Sequence, residues 1–484
     1  MSVILRSSVF STALVVGLFA CLAACAEQDH PSGQAEVATS IAAPGVVATK
    51  KDLIVITVDT LRADRLPFYG ASRATGGDPQ EEWSLAWLAA KGTVLEQVYA
   101  QVGITLPSLS SLWTGLPPLQ HGALTNRSLL AERTFSMDLT EAGWYGVAVN
   151  ASGILKRGTG LERGFAFFQA FAPKNEKRVA GVSVQQATDS VANHQPLLLW
   201  AHFVAPHSPY APTPEFAGRF TSSAEPNGGN DTLFAIERQP DSLTLELREH
   251  LRGLYDEEIL VTNAYVQELL SGLDALYREH GRGGLLENAV VVFSADHGEE
   301  LGERNGFFMH AKSLYSGVIR VPTIVLGEGW PAQHDDSLLA LQDLLPWVME
   351  GAQPHEAVVV SALQDRFFAV RDERWTLIHN PLADGSGPGG PPEGSAYPYP
   401  TVALFDRRTD PLEMHDVAAA NPEQCARLLD ALHAWFHALP VVQQETQNAV
   451  VDEVTLGELG YATSDSAVES SSPGPWTGQQ WLDR

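Results

Sequence analysis

The stretch Val290–Glu300, VVVFSADHGEE, is an apolar run that stops abruptly at Asp296-His297-Gly298-Glu299-Glu300. A second run, Leu53–Val58 (LIVITV), ends the same way, in Asp59. Short β-branched runs of this kind predict strands buried on both faces, as in a parallel sheet. Each strand then delivers a carboxylate at its carboxyl end, where open α/β sheets hold their ligands. Gly298 is expected to supply the turn that lets the adjacent Asp296 and His297 reach one point.

Further strands are expected at Tyr145–Val149, Leu197–Val204, Thr323–Leu326 and Ala357–Ser361, with helices at Trp83–Lys91, Pro107–Trp113 and Asp256–Glu279. The alternation predicts an α/β sandwich with a mostly parallel central sheet between helices. A smaller C-terminal α+β subdomain follows. The polar segment 217–247 reads as a loop insertion near the site, the Gly/Pro-rich stretch 384–400 as a surface loop, and Leu404–Glu413 as a hairpin without chemistry. Trp83, Trp87 and Trp113 read as core. The expected organisation is a leader over 1–24, a flexible tether over 25–51, a catalytic domain over 52–352, the subdomain over 353–440 and a tail over 441–484, disordered at its end.

At 484 residues, 44% hydrophobic and 18% charged, the chain has the composition of a folded protein. Its net charge of −27 excludes nucleic-acid binding through the general field and repels anions at long range. A sulfate or phosphate site in this chain therefore needs a local cation, and a bound metal is the obvious one. The leader closes in Leu22-Ala23-Ala24-Cys25, which resembles a bacterial lipobox. Lipidation of Cys25 would anchor the protein to a membrane of the bacterial cell envelope, on its periplasmic or extracellular face. A plain signal peptide cut before Glu27 is the alternative. Cys425 would then be the only other cysteine of the mature chain, so no internal disulfide is expected.

Asp59, Asp296 and His297 form the candidate metal set, since carboxylate plus imidazole suits Zn or Mn better than Ca or Mg. Thr105, in Thr-Leu-Pro-Ser, opens a helix with Pro107 in its first turn. A hydroxyl at that positive terminus, touching a metal, is a candidate nucleophile and fourth ligand. His207 and His310 are candidates for donating to an oxyanion or protonating a leaving group. Taken singly, each of these is an ordinary strand-end, cap or hydrogen-bonding residue.

Together, in order and spacing, they resemble the sulfatase branch of the alkaline phosphatase superfamily. The matching segments are Ile56…Asp59…Arg62-Ala-Asp64, Thr105-Leu-Pro-Ser108…Gly115…His121-Gly122, and Gly160-Leu-Glu-Arg-Gly-Phe165. They continue through His202…Pro206-His207-Ser-Pro-Tyr210, Ser294-Ala-Asp296-His297-Gly-Glu299, His310…Pro322 and Leu404…Glu413. The resemblance implies one divalent ion on Asp59, Thr105, Asp296 and His297, with in-line attack by the Thr105 position on sulfur or phosphorus. It also implies that His207 and His310 contact the ester or assist the leaving group.

The chain departs from that pattern in four places. Thr105 stands where sulfatases carry the Cys or Ser that becomes formylglycine. Leu109 replaces the motif arginine, and Thr60 replaces the aspartate beside the first ligand. The usual Gly-Lys-Trp segment is missing, leaving Asn150 and Lys156, with Lys312, as candidate substrate contacts. The expected activity is hydrolysis of a small-molecule or glycan sulfate or phosphate ester, leaning to phosphoester chemistry. A formylglycine-independent sulfatase and a non-catalytic binder of sulfated or phosphorylated glycans are the alternatives. Glu299 and Glu300 are expected either to support His297 or to lie solvated at the surface.

Overall fold

The structure, a computed structural model, describes residues 45–440 except 223–227, 305, 356, 364–366 and 381–399. The expectations for the leader, Cys25, most of the tether, nearly all of the 384–400 loop and the 441–484 tail lie outside the described residues. The expected α/β sandwich is present. In chain order its strands are β1 (Asp52–Val58), β2 (Thr93–Tyr99), β3 (Tyr145–Asn150), β4 (Phe167–Ala170), β5 (Leu197–Phe203), β6 (Ala289–Ala295), β7 (Glu300–Leu301), β8 (Phe308–Met309), β9 (Arg320–Leu326) and β10 (Gln333–Ala340). Eight of them form one sheet in the order β10-β2-β9-β6-β1-β5-β3-β4, and only β9 runs antiparallel to its neighbours.

Strands β1, β5 and β6 lie side by side in the middle of this sheet, and every residue in them is buried. That accounts for their continuous apolar runs, since helices cover both faces of such a strand. The register is the detail that matters for function. Val58 pairs with Ala295, so the next residues, Asp59 and Asp296, leave the sheet side by side. Thr57 pairs with His202 on the other side of β1, and His202 pairs with Asn150.

The 35-residue helix Leu245–Glu279 is capped by Thr244, whose hydroxyl accepts from Leu247 N at 3.1 Å. It starts eleven residues before the expected Asp256. A second helix, Asn230–Arg238, also falls within the segment read as a loop. Polar, Gly-rich composition concealed it because it buries only Leu233 and Ile236.

Strands β11 (Val359–Leu363), β12 (Phe367–Arg371), β13 (Trp375–His379) and β14 (Val402–Asp406) form a separate antiparallel sheet. The helix Pro422–Ala438 covers it, packing Leu428, Leu432 and Phe436 on Phe368, Val370, Leu377 and Leu404. Their four-residue spacing puts these three side chains on one helix face. The small sheet is tied to the large one by Ser361 Oγ donating to Ala100 O (2.7 Å) and Ala362 N donating to Gln101 O (2.8 Å).

Leu404–Glu413 is not a hairpin. β14 ends at Asp406, and turns follow that drive Glu413 into the large unit. Glu413 accepts from Ser316 N (2.6 Å) and Ser316 Oγ (2.7 Å) and faces Arg371 at 3.5 Å, with both charges fully buried. The Arg371 charge, with the serine donors, holds the Glu413 carboxyl below its ordinary range although burial opposes this. Removing one partner of a buried pair strands the other. Glu413→Ala is therefore expected to lower the unfolding free energy by about 3–5 kcal/mol. Urea denaturation measures this, and a change under about 1 kcal/mol contradicts the assignment.

Candidate active site

Three buried side chains from two neighbouring strand ends converge. One ligand atom each from Asp59, Asp296 and His297 lies within 4.8 Å of the others. The backbone dictates which atoms face inward. Asp296 Oδ1 accepts from Thr60 N (3.2 Å) and from His297 N (2.7 Å), so only Oδ2 is left over. His297 Nδ1 lies 2.9 Å from Gly298 O; a carbonyl only accepts, so Nδ1 carries the proton and Nε2 presents a lone pair. That Nε2 is 3.5 Å from Asp296 Oδ2 and 3.9 Å from Asp59 Oδ1.

Asp59 Oδ1 and Asp296 Oδ2 are fully buried and have no hydrogen-bond partner among the described residues. Burial opposes charge on Asp59, but the imidazoles of His207, His202 and His297 hold its carboxyl below the ordinary range. Burial, and then the Asp59 charge, push the Asp296 carboxyl well up. Orphaned oxygens of this kind beside a lone-pair nitrogen fit a divalent cation, which would offset the repulsion.

Thr105 is the first residue of the helix Thr105–Thr114, and its Oγ1 is 3.4 Å from His297 Nε2. The helix is pinned there by Ser108 Oγ donating to Asp296 O (2.6 Å) and by Leu106 N donating to Asn126 Oδ1 (3.0 Å). Gly298 serves a purpose other than the expected turn. It is not among the positive-φ glycines. A Cβ there would stand 2.2 Å from Gly317 O, so the glycine permits close approach of two loops. The rings of His207 and His310 complete the cluster, with centroids 5.1 Å apart and His310 only 4.5 Å from His297.

Comparison with known proteins agrees with this geometry. The family model described as Sulfatase matches residues 51–353. The chain belongs to the sulfatase family. Choline-sulfatase of Rhizobium meliloti is 23% identical over 271 residues, 48% of this chain and 48% of its own length. Arylsulfatase K of Rattus norvegicus is 24% identical over 404 residues, 70% of each chain. The chain thus spans about half of the first relative and 70% of the second. Among solved structures, a phosphonate monoester hydrolase from Silicibacter pomeroyi superposes with a TM-score of 0.56 at 18% identity, covering 81% of this chain and 96% of that one. A protein solved with its substrate D-glucosamine-2-N,6-O-disulfate gives a TM-score of 0.59 at 16% identity, covering 80% and 97%. These likenesses carry the fold.

Within this sulfatase-family site, several expected contacts are otherwise engaged. Asn150 spends its amide on its own loop, donating to Leu155 O and accepting from Ser152 N, both at 3.0 Å. Lys312 is ion-paired to Glu237 and lies over the Phe307 ring, which removes it as an uncommitted cation. Lys156 is half-buried on the loop after β3 and makes no ion pair among the described residues. Glu299 and Glu300 are fully buried, not solvated, and neither side chain bonds His297. Glu299 accepts from Tyr210 OH (2.8 Å) and lies 3.3 Å from His310 Nδ1, while Glu300 accepts from Ser313 Oγ (2.8 Å). Burial pushes Glu299 up to about 8, and burial with the two neighbouring rings pushes His310 well below its usual value.

His202 entered the sequence reading only as a matched position without a role, and its Nε2 stands 3.8 Å from Asp59 Oδ2. Its signal was a lone polar residue inside the apolar run of β5. The paired orphan carboxylates give a direct test. Asp296→Asn replaces a repelling oxygen by an amide donor facing Asp59. The metal-free variant is expected to unfold at higher temperature than the metal-free wild type and to lose the stabilisation that added Zn or Mn gives the wild type. Differential scanning calorimetry reads both; a lower midpoint for the apo variant contradicts the charge argument.

Proposed function

We propose that this sulfatase-family hydrolase is metal-dependent and cleaves tetrahedral esters by in-line attack from Thr105 Oγ1, leaning to phosphoester chemistry. The observation that carries the reading is Thr105 Oγ1 at 3.4 Å from His297 Nε2, on the rim of the Asp59–Asp296–His297 set. A divalent ion held by Asp59, Asp296, His297 and Thr105 would lower the hydroxyl pKa and neutralise charge on the ester oxygens. Thr105 then supplies the nucleophile, and its ester to phosphorus is broken by water in a second displacement. His207 and His310, packed beside His297, supply the hydrogen-bonding face for the ester or leaving group.

The charge balance narrows the substrate. Leu109 removes the family arginine, Lys312 faces Glu237, and Lys174 faces Glu258. A doubly charged phosphate monoester would meet little compensating charge, so a phosphodiester or phosphonate monoester with one negative charge suits the site better. The second reading is a sulfate monoester, also singly charged. It is favoured by the names of the relatives, which include an N-acetylglucosamine-6-sulfatase from Capra hircus. Sulfated glycans are then the substrate class. Lipid anchoring through Cys25 at the cell envelope belongs to the same proposal and rests on the lipobox alone.

The deciding experiment is turnover of matched p-nitrophenyl sulfate, phosphate, phenylphosphonate and phosphodiester by protein stripped of metal and reloaded with Zn, Mn or Ca. The diester or phosphonate is expected to be cleaved fastest, and Thr105→Ala to lose at least about a thousandfold in kcat. Efficient sulfate cleavage with phosphate esters untouched would install the second reading. Activity within tenfold of wild type in Thr105→Ala would overturn the nucleophile assignment.

A further inference from the structure

His202 sits in the last turn of the pleat in β5, fully buried, one strand away from Asp59. Its Nδ1 is 2.8 Å from Thr57 Oγ1, and Trp200 Nε1 donates to that same oxygen at 2.9 Å. An indole nitrogen can only donate, so Thr57 accepts from Trp200. The hydroxyl has one hydrogen to place, and its only further partner among the described residues is His202 Nδ1. If Nδ1 carried a proton, Thr57 would receive two donors and its own hydrogen would be buried without an acceptor, at the cost of an unmade hydrogen bond. The chain therefore runs from Trp200 to Thr57 to His202 Nδ1, and the imidazole proton rests on Nε2. That Nε2 has no hydrogen-bond partner among the described residues and stands 3.8 Å from Asp59 Oδ2.

We propose that His202 is a positioning residue of the metal site: fixed by Thr57 and Trp200 as the Nε2–H tautomer, it turns the positive end of that N–H toward Asp59 Oδ2 across 3.8 Å and offers an ion no lone pair on that side. This deepens the metal-dependent reading above and rests on it for its functional meaning. Two consequences follow. Asp59 is steered so that the orphaned Oδ1 is the oxygen offered to the ion. His202 also denies a second ion a ligand on this side, because its inward nitrogen is protonated.

The test begins on metal-free wild type, with long-range ¹H–¹⁵N correlation spectra of histidine-labelled protein. His202 is assigned from the signal lost in either His202→Gln or His202→Phe. Protonation at Nε2 and not at Nδ1 is expected; the reverse overturns the proposal, whatever the protein's activity. Zn and Mn binding is then measured by titration calorimetry with metal analysis of the folded variants. Wild type is expected to bind one ion per chain. His202→Phe, which loses the donor, should weaken binding by about 10–100-fold. His202→Gln, whose amide reproduces an Nε2-side donor, should recover most of it. An imidazole that merely fills space would shift the thermal midpoint and leave the dissociation constant unchanged in His202→Phe, which refutes the proposal. So would a second ion lost on either substitution. A wild type that binds no ion would overturn the metal reading instead, and the tautomer result would still stand or fall by itself.

Discussion

The parallel pairing of β1 with β6 sets the terms for the rest of the molecule. Val58 opposite Ala295 makes Asp59 and Asp296 neighbours in a place that water does not reach. Two buried carboxylates at that distance repel, and neither surplus oxygen finds a donor among the described residues. Such an arrangement is unfavourable in isolation and persists only where the surrounding structure over-determines it. The over-determination is visible. Thr60 N and His297 N fix one oxygen of Asp296, Ser108 fixes its carbonyl, and Gly298 N donates to Val318 O to fix the loop beyond. Even Thr60, β-branched, is held at φ +55, a conformation that few such residues tolerate.

The loops around this point are held by charges on elements outside the sheet. On the helix Leu245–Glu279, three consecutive buried acids each take a different loop. Asp256 pairs with Arg65 and Arg73, from the segment after β1. Glu257 accepts from Phe220 N and Thr221 N, and Glu258 accepts from Ala211 N and Lys174. Consecutive helical residues point about 100° apart, so all three can be buried only where loops wrap the helix. Arg62 does the corresponding work on the other side, bridging Asp64, Glu303 and the Glu299 carbonyl from a fully buried position. These carboxylates serve architecture, and the strongly acidic composition does not by itself measure the field at the site.

Legibility in the sequence followed the strength of the local pattern. β1, β5 and β6 were legible because strands buried on both faces leave unbroken apolar runs, and their polar endings located Asp59, Asp296 and His297. β2 and β10 were not, because edge-ward strands that carry Glu96, Gln97, Asp335 and Asp336 read as ordinary polar chain. Gly298 was legible as necessary but for the wrong reason, since the contact with Gly317 joins residues far apart in the fold. His202 was matched by position, but its role was not legible: that lies in a register that pairs it with Thr57, and register is a tertiary fact. Glu299 was expected either to support its neighbour His297 or to lie solvated, whereas the backbone carries it past that ring to His310 and Tyr210. Lys312 looked uncommitted only because its partner, Glu237, lies in the helix that composition had concealed.

The histidine cluster bears on where positive charge comes from in a chain of net charge −27. The His310 ring lies 4.5 Å from that of His297 and 5.1 Å from that of His207, and three rings so clustered cannot all be cationic in a dry pocket. Burial moves His207, His297 and His310 downward, and for His310 the two neighbouring rings push the same way. At neutral pH these imidazoles are hydrogen-bonding groups more than charges. Lys174 and Lys312 are neutralised by glutamates, Lys156 alone of the candidate lysines makes no ion pair among the described residues, and the family arginine position is a fully buried leucine, Leu109. The attraction an anionic ester meets is thus concentrated on whatever cation the two aspartates and His297 hold. On the metal-dependent reading proposed above, a site built this way would depend on its ion for binding as well as for chemistry, and the precision with which Asp59 is held would become a determinant of both.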